Sequence, residues 1–419
     1  MRAVKTLWLR RAVSVLENHP AKAPRFSPTR RNFIRNTSTS AIGMALLPGM
    51  GGLGRLSHPR IAIIGGGLAG LSCAWKLKKA GYNPVVFEAS NLTGGRTMTV
   101  HNFQKAGTVH EIGGEYFTSD HRYVIRLARQ LSKKVYTSSA PNRHLKPLKA
   151  FFGNREVSLR ELEQSLLSFR EAIAADIEDL PELISWEKSE KFGHLDSLSI
   201  AQYLKSKGID ELGYRFLTRA FTIENGMEAD QQSALNLLLS FREGFTFRPS
   251  EKIRSLRIKG GNQSLCTELA SRMWKSLRTR HRLVNLHQHT DWYTLYFDCS
   301  GREKKFDADI VVLAIPFSVF RKIETNVHFN ERKQLAINEL GYGQKDRMLL
   351  GFVNKPWCEQ GYEGLTYSDE LFGYGSDHLP RQKGKNQVLS VKPAGREAGK
   401  FARMDTANAA MRCLSSFDK

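Results

Sequence analysis

The 419-residue chain has few cysteines, and the five that it has are scattered. None stands at C-x-x-C spacing, so the sequence predicts neither a structural zinc site nor a disulfide framework. It also lacks an apolar run that could cross a bilayer as a helix. The nearest candidate, residues 41–54, is short and is interrupted by Pro48 and several glycines. We therefore expect no integral membrane span, and no internal repeat is visible.

Acidic residues are scarce relative to basic ones: 41 Asp and Glu stand against 63 Lys and Arg, for a net charge of +22. Residues 1–60 carry eleven Lys and Arg but a single acid, Glu17. No nucleic-acid-binding motif and no aromatic stripe accompany the charge, so we interpret it as a solvated surface and expect no nucleic-acid partner. A chain of 419 residues is too long to fold around a single hydrophobic core, so its length predicts two intertwined domains.

The most informative stretch is IAIIGGGLAG, residues 61–70. Its apolar start predicts a buried parallel strand, and Gly65, Gly67 and Gly70 match G-x-G-x-x-G. The first glycine permits a tight turn, the second lets a pyrophosphate approach the backbone, and the third lets the next helix pack closely. The free N–H groups at the start of that helix would face the phosphates. The candidate phosphate-binding residues are Gly65, Gly67, Leu68, Ala69 and Gly70.

A second strand with an acid at its end strengthens this interpretation. A helix predicted over 68–80 stops at Gly81, and PVVFE, residues 84–88, predicts a strand that ends in Glu88. A carboxylate there, with Ala89 beside it, can accept hydrogen bonds from ribose hydroxyls and would repel a 2′-phosphate. The pattern predicts FAD or NAD rather than NADP. A βαβ unit that binds no phosphate is the alternative.

The residues that follow favour FAD. EASNLTGGRTMT places Gly94, Gly95 and Arg96 six to eight residues beyond Glu88, and from here the chain resembles the flavin-containing amine oxidases. In that family the glycine pair and the arginine lie along the pyrophosphate and the flavin edge. Glycine permits close backbone approach, and arginine supplies a charge-assisted donor. An ordinary surface arginine is the alternative for Arg96.

Further segments resemble the family in the same order. They are HEIGGEYFTSDHRYVIRLARQL, FTIENGMEADQQSALNLL, RIKGGNQSLCTELA and ADIVVLAIPFSVFRKI, and the resemblance extends from about residue 60 to the end. The resemblance implies that Gly113, Gly114 and Val284 lie near the flavin or the adenine. FAD is thus the expected cofactor.

The resemblance also implies an α/β fold, with an FAD-binding Rossmann-like nucleotide domain of the glutathione-reductase type and an inserted, largely helical substrate domain. We expect a discontinuous FAD-binding domain over 60–120 and 255–325, and a substrate domain over 121–254 and 326–419. Within the insertion, apolar residues at helical spacing predict an amphipathic core helix, with a membrane-docking face as the alternative. They are Leu159, Leu162, Leu166, Phe169 and Ile173.

His287 and His289 stand at strand spacing in VNLHQH. Two side chains on one face of a strand could bind a metal. No third ligand is near in the sequence, so we predict an ordinary surface strand and no metal site.

The chemistry implied by the resemblance is oxidation of an amine to an imine. Hydride passes to flavin N5, and dioxygen reoxidises the flavin and yields hydrogen peroxide. The flavin carries the hard chemistry, so few protein acids or bases are needed. Desaturases of the carotenoid type and oxidases of the protoporphyrinogen type share the fold and stay as alternatives, as does a flavin-binding protein without turnover.

Two positions are candidates for catalysis. In the family's bacterial branch, LGYG is followed by three residues and a lysine that holds a water against flavin N5; this chain has Arg347 there. The planar guanidinium of an arginine is not equivalent to the compact ammonium of a lysine. Lys345 lies two residues earlier, on the same face if this is a strand, and is the candidate to substitute for the family's lysine. Glu115 and Glu224 are candidates to attract a cationic amine, with solvated surface carboxylates as the alternative.

The two ends of the chain carry separate expectations. SPTRRNFIR, residues 27–35, fits the twin-arginine export pattern through Arg30 and Arg31. We therefore expect residues 1–59 to be an export signal and linker, recognised by the twin-arginine machinery, and the protein to be periplasmic. A disordered basic tail is the alternative. Family members continue beyond the position of Lys419, so we expect a missing C-terminal FAD-binding segment, weak FAD affinity and little turnover.

Overall fold

The computed structural model describes residues 58–137, 144–182, 184–185, 190–244, 255–378 and 386–417. Contacts divide these residues into two compact units. The glycine-loop unit consists of residues 58–98 and 262–340, and the six-strand unit consists of the described residues of 99–261 and 341–417. The predicted twin-arginine pattern lies outside the described residues.

The strands are β1 (Ile61–Ile64), β2 (Val85–Phe87), β3 (Thr99–His101), β4 (Val109–Glu111), β5 (Phe117–Thr118), β6 (Val135–Thr137), β7 (Lys149–Phe152), β8 (Arg155–Val157), β9 (Ser255–Ile258), β10 (Leu277–Arg278), β11 (Arg282–Gln288), β12 (Tyr293–Asp298), β13 (Glu303–Ala308), β14 (Ile310–Leu313), β15 (Glu324–Thr325), β16 (Met348–Phe352), β17 (Thr366–Ser368), β18 (Tyr374–Asp377) and β19 (Gln387–Val391).

The α-helices are α1 (Leu68–Lys79), α2 (Arg122–Gln130), α3 (Leu159–Ala172), α4 (Ala174–Glu178), α5 (Gly193–Asp196), α6 (Ile200–Ser206), α7 (Glu211–Asn225), α8 (Ala234–Gly244), α9 (Ser264–Arg272), α10 (Phe317–Phe320), α11 (Glu331–Glu339), α12 (Pro356–Glu359), α13 (Arg396–Phe401) and α14 (Thr406–Phe417). Single 3-10 turns occupy Ala229–Gln231 and Trp274–Ser276. None of the helices in the described ranges combines the length and the apolar character that a membrane span requires.

The glycine-loop unit is built on a parallel sheet with strand order β10-β2-β1-β14. All four residues of β1 are buried between β2 and β14, with Ala62 opposite Val85 on one side and Val311 on the other. A strand covered on both faces has no solvent side, which explains its unbroken apolar run. A second sheet, β13-β12-β11-β15, shares this unit's core, in which Phe87 stacks on Phe297 with ring centroids 4.3 Å apart.

Helix α1 begins directly after the glycines, with Gly67 as its N-cap. It ends at Lys79, and Gly81 then adopts φ +91°, a conformation that glycine takes without a steric penalty. Strand β2 follows. The helix and the second strand predicted from the sequence are confirmed.

The six-strand unit contains a mixed sheet with strand order β16-β19-β18-β17-β7-β8 and a smaller antiparallel sheet, β5-β9-β6. Helices α3 to α8 contribute residues to the main hydrophobic core of this unit or pack against it. Ser158 and Glu161 form a capping box at the start of α3. The predicted apolar stripe of α3 is confirmed as core, since Leu159 packs against that cluster and the other four members are buried in it: Leu162, Leu166, Phe169 and Ile173.

Successive side chains of a strand point to opposite faces of a sheet, and one face of the six-stranded sheet packs on an apolar cluster. On that face Leu350, Leu389 and Val391 are buried in an apolar cluster with Phe401 and Cys413. Arg347 directly precedes β16 and Lys392 directly follows β19, so these two cations stand at the same end of this antiparallel strand pair.

The unit boundaries differ from the expected domain boundaries of 60–120 and 255–325. Strands β3 to β5 belong to the six-strand unit, where β5 pairs with β9. Helix α11, expected in the substrate domain, belongs to the glycine-loop unit because Ile337 is buried in that unit's core. The chain passes between the units after Met98, Gly261 and Leu340. Strand pairing in one case and burial in the other decide these points, which sequence motifs do not report, and the assignment of the units as FAD-binding and substrate domains stays a prediction.

Candidate active site

The glycine loop connects β1 to α1, and each motif glycine has a distinct environment. Gly65 has φ +111°, which side-chain-bearing residues rarely adopt. A Cβ on Gly70 would lie 2.0 Å from the Gly65 carbonyl oxygen, so this glycine lets α1 pack against the loop. A Cβ on Gly67 would meet its nearest atom, the Gly94 carbonyl oxygen, only at 3.8 Å. The backbone at Gly67 is therefore open to close approach by a ligand.

The Glu88 carboxylate is held by the loop that it faces. Its Oε2 accepts a hydrogen bond from the Gly66 N–H at 2.7 Å, and its Oε1 accepts one from the Ser90 N–H at 2.9 Å. The side chain is half-buried, and Ala89 beside it is exposed. Oε1 also accepts a hydrogen bond from the Ser90 hydroxyl at 3.0 Å. A carboxylate has about four acceptor sites, so the remaining one, on Oε2, is available to a ribose hydroxyl.

The second glycine pair lies against the first glycine segment. The Gly94 N–H donates to the Gly66 carbonyl oxygen at 3.0 Å, and Gly94 bridges to Gly67. Gly94 and Gly95 have φ values of +130° and +57°. Arg96 follows and is exposed.

The start of α1 completes this cradle. Its first turn contains no acid, and its N-cap, Gly67, provides no side-chain hydrogen bond. The N–H groups of Leu68, Ala69 and Gly70 thus stand at the positive end of a helix dipole. Open backbone, a helix N-terminus and a fixed carboxylate fit the pyrophosphate and ribose of a dinucleotide, so the residues present fit FAD.

The other predicted cofactor residues are placed differently. Gly113 and Gly114 lie between β4 and β5 in the six-strand unit. Val284 is half-buried in β11, at a register shift between Leu283 and Asn285. Contact of these three residues with FAD stays a prediction.

Glu115 is the centre of a buried polar group in the six-strand unit. Its Oε1 lies 2.7 Å from Arg257 Nη2, and its Oε2 lies 2.9 Å from Lys392 Nζ and 3.3 Å from Arg347 Nη2. Burial opposes ionisation, but the attraction of Lys392, Arg347 and Arg257 outweighs it and holds the pKa of Glu115 well below its usual range. We call these four residues the Glu115 cluster.

Two buried histidines adjoin the Glu115 cluster. His378 Nε2 accepts a hydrogen bond from the Glu111 N–H at 3.1 Å, so its proton is on Nδ1, which lies 3.5 Å from Glu115 Oε1. The His110 ring is 5.2 Å from that of His378. Burial, reinforced by Arg257, lowers the pKa of His378 to about 3 and that of His110 to about 4. Both rings are therefore neutral at pH 7.

This geometry answers the question that the sequence left open for Glu115. The carboxylate is neither a solvated surface acid nor available to a cationic amine, because it is 5 % exposed and three cations surround it. Glu224, at the end of α7, is half-buried, and its carbonyl oxygen accepts a hydrogen bond from Lys345 Nζ.

The two catalytic candidates have different surroundings. Arg347 is tied to the Glu115 cluster, and its Nη1 donates to the Glu111 carbonyl oxygen at 2.6 Å. Lys345 lies in a loop whose residues are exposed and reaches the carboxyl end of α7, where a cation is favourable. Desolvation lowers the pKa of Lys345, Glu224 opposes this, and Lys392 and Arg347 add to it. Strand β16 begins at Met348, so neither candidate lies in a strand, and the condition under which Lys345 and Arg347 would share a strand face is not met.

Sequence reasoning missed Arg257, Lys392 and His378. Arg257 is 142 residues from Glu115, and Lys392 is 277 residues from it, so no local spacing could connect them. The one available signal was an arginine within SLRI, a short strand whose four residues are all buried. A charged residue in such a strand needs a buried partner.

The two histidines of VNLHQH, considered above as possible metal ligands, have different surroundings. His287 is exposed in β11, and His289 stacks on Trp292 with ring centroids 4.6 Å apart. Across the described ranges, no group of three or more His, Cys, Asp or Glu side chains is arranged to hold a metal ion. All five cysteines are free.

Sequence comparison identifies relatives over most of the chain. The chain is 26% identical to an L-amino-acid oxidase of Mus musculus in an alignment of 337 positions that covers 75% of this chain and 50% of that protein. It is 23% identical to a flavin-containing amine oxidase of Danio rerio over 321 residues, covering 74% of this chain and 60% of that one. The chain thus spans about half the length of the mouse relative.

Solved structures share the fold. Putrescine oxidase bound to putrescine superposes with a TM-score of 0.67 at 19% identity, and cyclohexylamine oxidase from Brevibacterium oxydans IH-35A with 0.69 at 18%. Both comparisons cover 86% of this chain and 80% of the other. At these identities the likeness establishes the α/β fold alone. Residues 68–418 match the family described as flavin containing amine oxidoreductase, and the chain belongs to that family.

Proposed function

We propose that the protein is an FAD-dependent amine oxidase that converts an amine to an imine and yields hydrogen peroxide. Its fold would then consist of a Rossmann-like FAD domain with an inserted, largely helical substrate domain. The observation that carries the proposal is the glycine loop with its fixed carboxylate, Glu88, in a chain of this family. When bound, the flavin supplies the hydride acceptor and the site at which dioxygen is reduced.

The chain's own residues bind and orient in this proposal. Gly67, Gly94 and Gly95 let the pyrophosphate approach the backbone, Glu88 accepts from the ribose, and the exposed Arg96 adds a charge-assisted donor. Gly113, Gly114 and Val284 contribute to the flavin or adenine surroundings.

Lys345 is the better catalytic candidate. Its ammonium is on an exposed loop and is oriented by the Glu224 carbonyl oxygen, whereas Arg347 is committed to Glu115 and Glu111. Desolvation lowers the pKa of Lys345 below its usual range, and its Nζ is held in place by the Glu224 carbonyl oxygen, so this ammonium can donate a proton or hold a water. We therefore assign the proton-handling role to Lys345 and a positioning role to Arg347.

Flavin binding is the first test. The 419-residue chain purified with FAD should show flavin absorbance, and Glu88→Arg should abolish it, because the substitution removes the ribose acceptor and the hydrogen bond to Gly66. Glu339→Arg, at an exposed site in the same unit, is the matched control and should retain the flavin. A colourless parent protein that binds NAD instead would contradict the proposal.

Substrate oxidation is the second test. A panel suggested by the names of the relatives, L-amino acids, putrescine and cyclohexylamine, should include a compound that bleaches the bound flavin without oxygen and generates peroxide with it. Activity on polyenes or porphyrinogens alone would favour a desaturase or a protoporphyrinogen-type oxidase. Bound flavin that no compound bleaches would indicate a flavin-binding protein without turnover.

A further inference from the structure

A basic and aromatic surface is formed in the glycine-loop unit where helices α1 and α9 end. Trp274 is 69% exposed and Tyr82 is 40% exposed. Five cations accompany them: Lys76, Lys78, Lys79, Arg272 and Lys275. We call these seven residues the α1–α9 surface.

Contacts connect several residues of this surface, and Lys275 adjoins Trp274. Lys78 Nζ donates to the Arg272 carbonyl oxygen at 2.8 Å, which ties the end of α1 to the end of α9. The Trp75 ring lies between Lys79 Nζ, at 4.9 Å, and Arg272 Cζ, at 5.6 Å. The cations therefore form one surface.

Little negative charge offsets these cations. Residues 66–82 contain no acid, and residues 262–282 contain only Glu268, whose Oε1 is 3.0 Å from Arg272 Nε. Stabilisation of a helix C-terminus explains lysines in the last turn of α1. The same effect explains Arg272 in the last turn of α9, but it does not explain the exposed indole of Trp274 or Lys275, which lies beyond the end of α9.

The sheet topology separates this surface from the glycine loop. Strands β1, β2 and β10 are parallel, so their starts share one edge of the sheet and their ends share the other. Tyr82 precedes β2 and Trp274 precedes β10, which places both at the amino edge. The glycine loop and Glu88 follow β1 and β2, at the carboxyl edge. A partner at the amino edge leaves the nucleotide cradle accessible.

We propose that the α1–α9 surface docks the protein on an anionic lipid membrane. Lysines and arginines near such a surface are attracted to its headgroups, and exposed Trp and Tyr rings favour the boundary between headgroups and acyl chains. Lys275 Nζ lies 5.4 Å from the centroid of the exposed Trp274 ring, which pairs a cation with an indole, and the sequence carries no nucleic-acid-binding motif. This favours lipid over nucleic acid.

The test is vesicle binding by the full chain. Phosphatidylcholine vesicles with and without phosphatidylglycerol are sedimented with the parent protein and with Lys76→Gln/Lys79→Gln/Lys275→Gln. The matched control, Lys304→Gln/Lys305→Gln/Lys322→Gln, removes three exposed lysines of the same unit from other elements. Residues 1–57 are unchanged in all three proteins, so any binding by that segment is common to them.

The parent should bind only the vesicles with phosphatidylglycerol, and more weakly as salt is raised. Losing three lysines from the α1–α9 surface should weaken binding about a hundredfold, since each cation near the bilayer contributes roughly fivefold. The control should lose less than tenfold, and Trp274→Ala should bind several-fold more weakly with an unchanged salt dependence.

Three outcomes would overturn the proposal. They are absence of parent binding to phosphatidylglycerol vesicles, an equal loss in the two triple variants, and tighter surface-dependent binding to a DNA duplex than to vesicles. Thermal unfolding of each variant establishes that it is folded. FAD absorbance is measured in parallel and distinguishes failure of membrane docking from failure of the proposed function.

Discussion

Arg257 and Glu115 form an ion pair at 2.7 Å in which their side chains are only 6% and 4% exposed. Arg257 is held further by the Tyr116 hydroxyl at 2.9 Å and by the His378 carbonyl oxygen at 3.3 Å. Through Glu115 the pair is joined to Arg347 and Lys392. One carboxylate thus links four chain segments of the six-strand unit.

Replacing this carboxylate should destabilise the protein strongly. Glu115→Gln preserves the shape but leaves three cations without their shared counter-charge, so we expect the free energy of unfolding to fall by about 3–5 kcal/mol. Urea denaturation measures it. Glu211→Gln is the control, because Glu211 pairs with Arg215 on the surface and such pairs contribute little. Equal effects of the two substitutions would contradict a structural role for the Glu115 cluster.

Stability should decline as the pH falls from 7 to 4. The folded pKa of His110 is about 4, below the ordinary 6.5, so the unfolded chain takes up its proton first. Stability from neutral His110 is thus lost from about pH 6.5 downward, with a total effect of about 3 kcal/mol by its folded pKa. The lowered pKa of Glu115 acts in the same direction, since its contribution is lost as acid protonates it.

Urea midpoints across this pH range test the titration. His110→Phe should reduce the dependence between pH 6.5 and 4 by about half, because His378, with a pKa of about 3, contributes over the same range, whereas His101→Phe, at an exposed site in β3, should leave it unchanged. An identical slope in His110→Phe and the parent would show that His110 does not contribute.

Substitutions of two loop glycines should have different effects, one on protein stability and the other on FAD binding. Gly70→Ala places a Cβ 2.0 Å from the Gly65 carbonyl oxygen and should lower the free energy of unfolding by about 1–3 kcal/mol. Gly67→Ala fits the local backbone, with φ −77°, and should leave stability nearly unchanged while weakening FAD binding. Thermal unfolding without FAD and flavin titration measure the two effects. The assignment fails if Gly67→Ala binds FAD as the parent does.

Substitutions of the two catalytic candidates should also have different effects, on turnover for Lys345 and on stability for Arg347. Lys345→Met should lower kcat about a hundredfold through loss of proton handling, with little change in stability. Arg347→Met should destabilise the protein because Glu115 and the Glu111 carbonyl oxygen lose a partner. Steady-state peroxide assays and urea denaturation of both variants make the comparison. Full activity of Lys345→Met would eliminate it as the catalytic residue.

Export should depend on the paired arginines, Arg30 and Arg31. We propose a periplasmic location on this pattern alone. Replacing both residues by lysine keeps the charge but removes the guanidinium pair, so the protein should be retained in the cytoplasm. Cell fractionation in a bacterial host measures this, with Arg10→Lys/Arg11→Lys as the matched control. Continued export of the Arg30→Lys/Arg31→Lys variant would refute the signal.

The local elements were predictable because their determinants are adjacent in the chain. An apolar run, three spaced glycines and a terminal acid specify the strand, turn, helix and second strand around Glu88. The apolar stripe of α3 likewise follows from helical periodicity. The loop at Lys345 and Arg347 was not predictable, since β16 begins one residue after Arg347 through pairing with β19.

The sequence by itself determined the glycine loop and its carboxylate, Glu88, because backbone conformation at a few glycines and the position of one acid after a strand are local properties. Only the tertiary structure decided the role of Glu115. Its neutralising cations come from positions 257, 347 and 392, and a short-range charge interaction between such distant residues exists only after folding has brought their chain segments together. The same is true of the α1–α9 surface, where two helix ends meet because the strands that follow them are parallel neighbours.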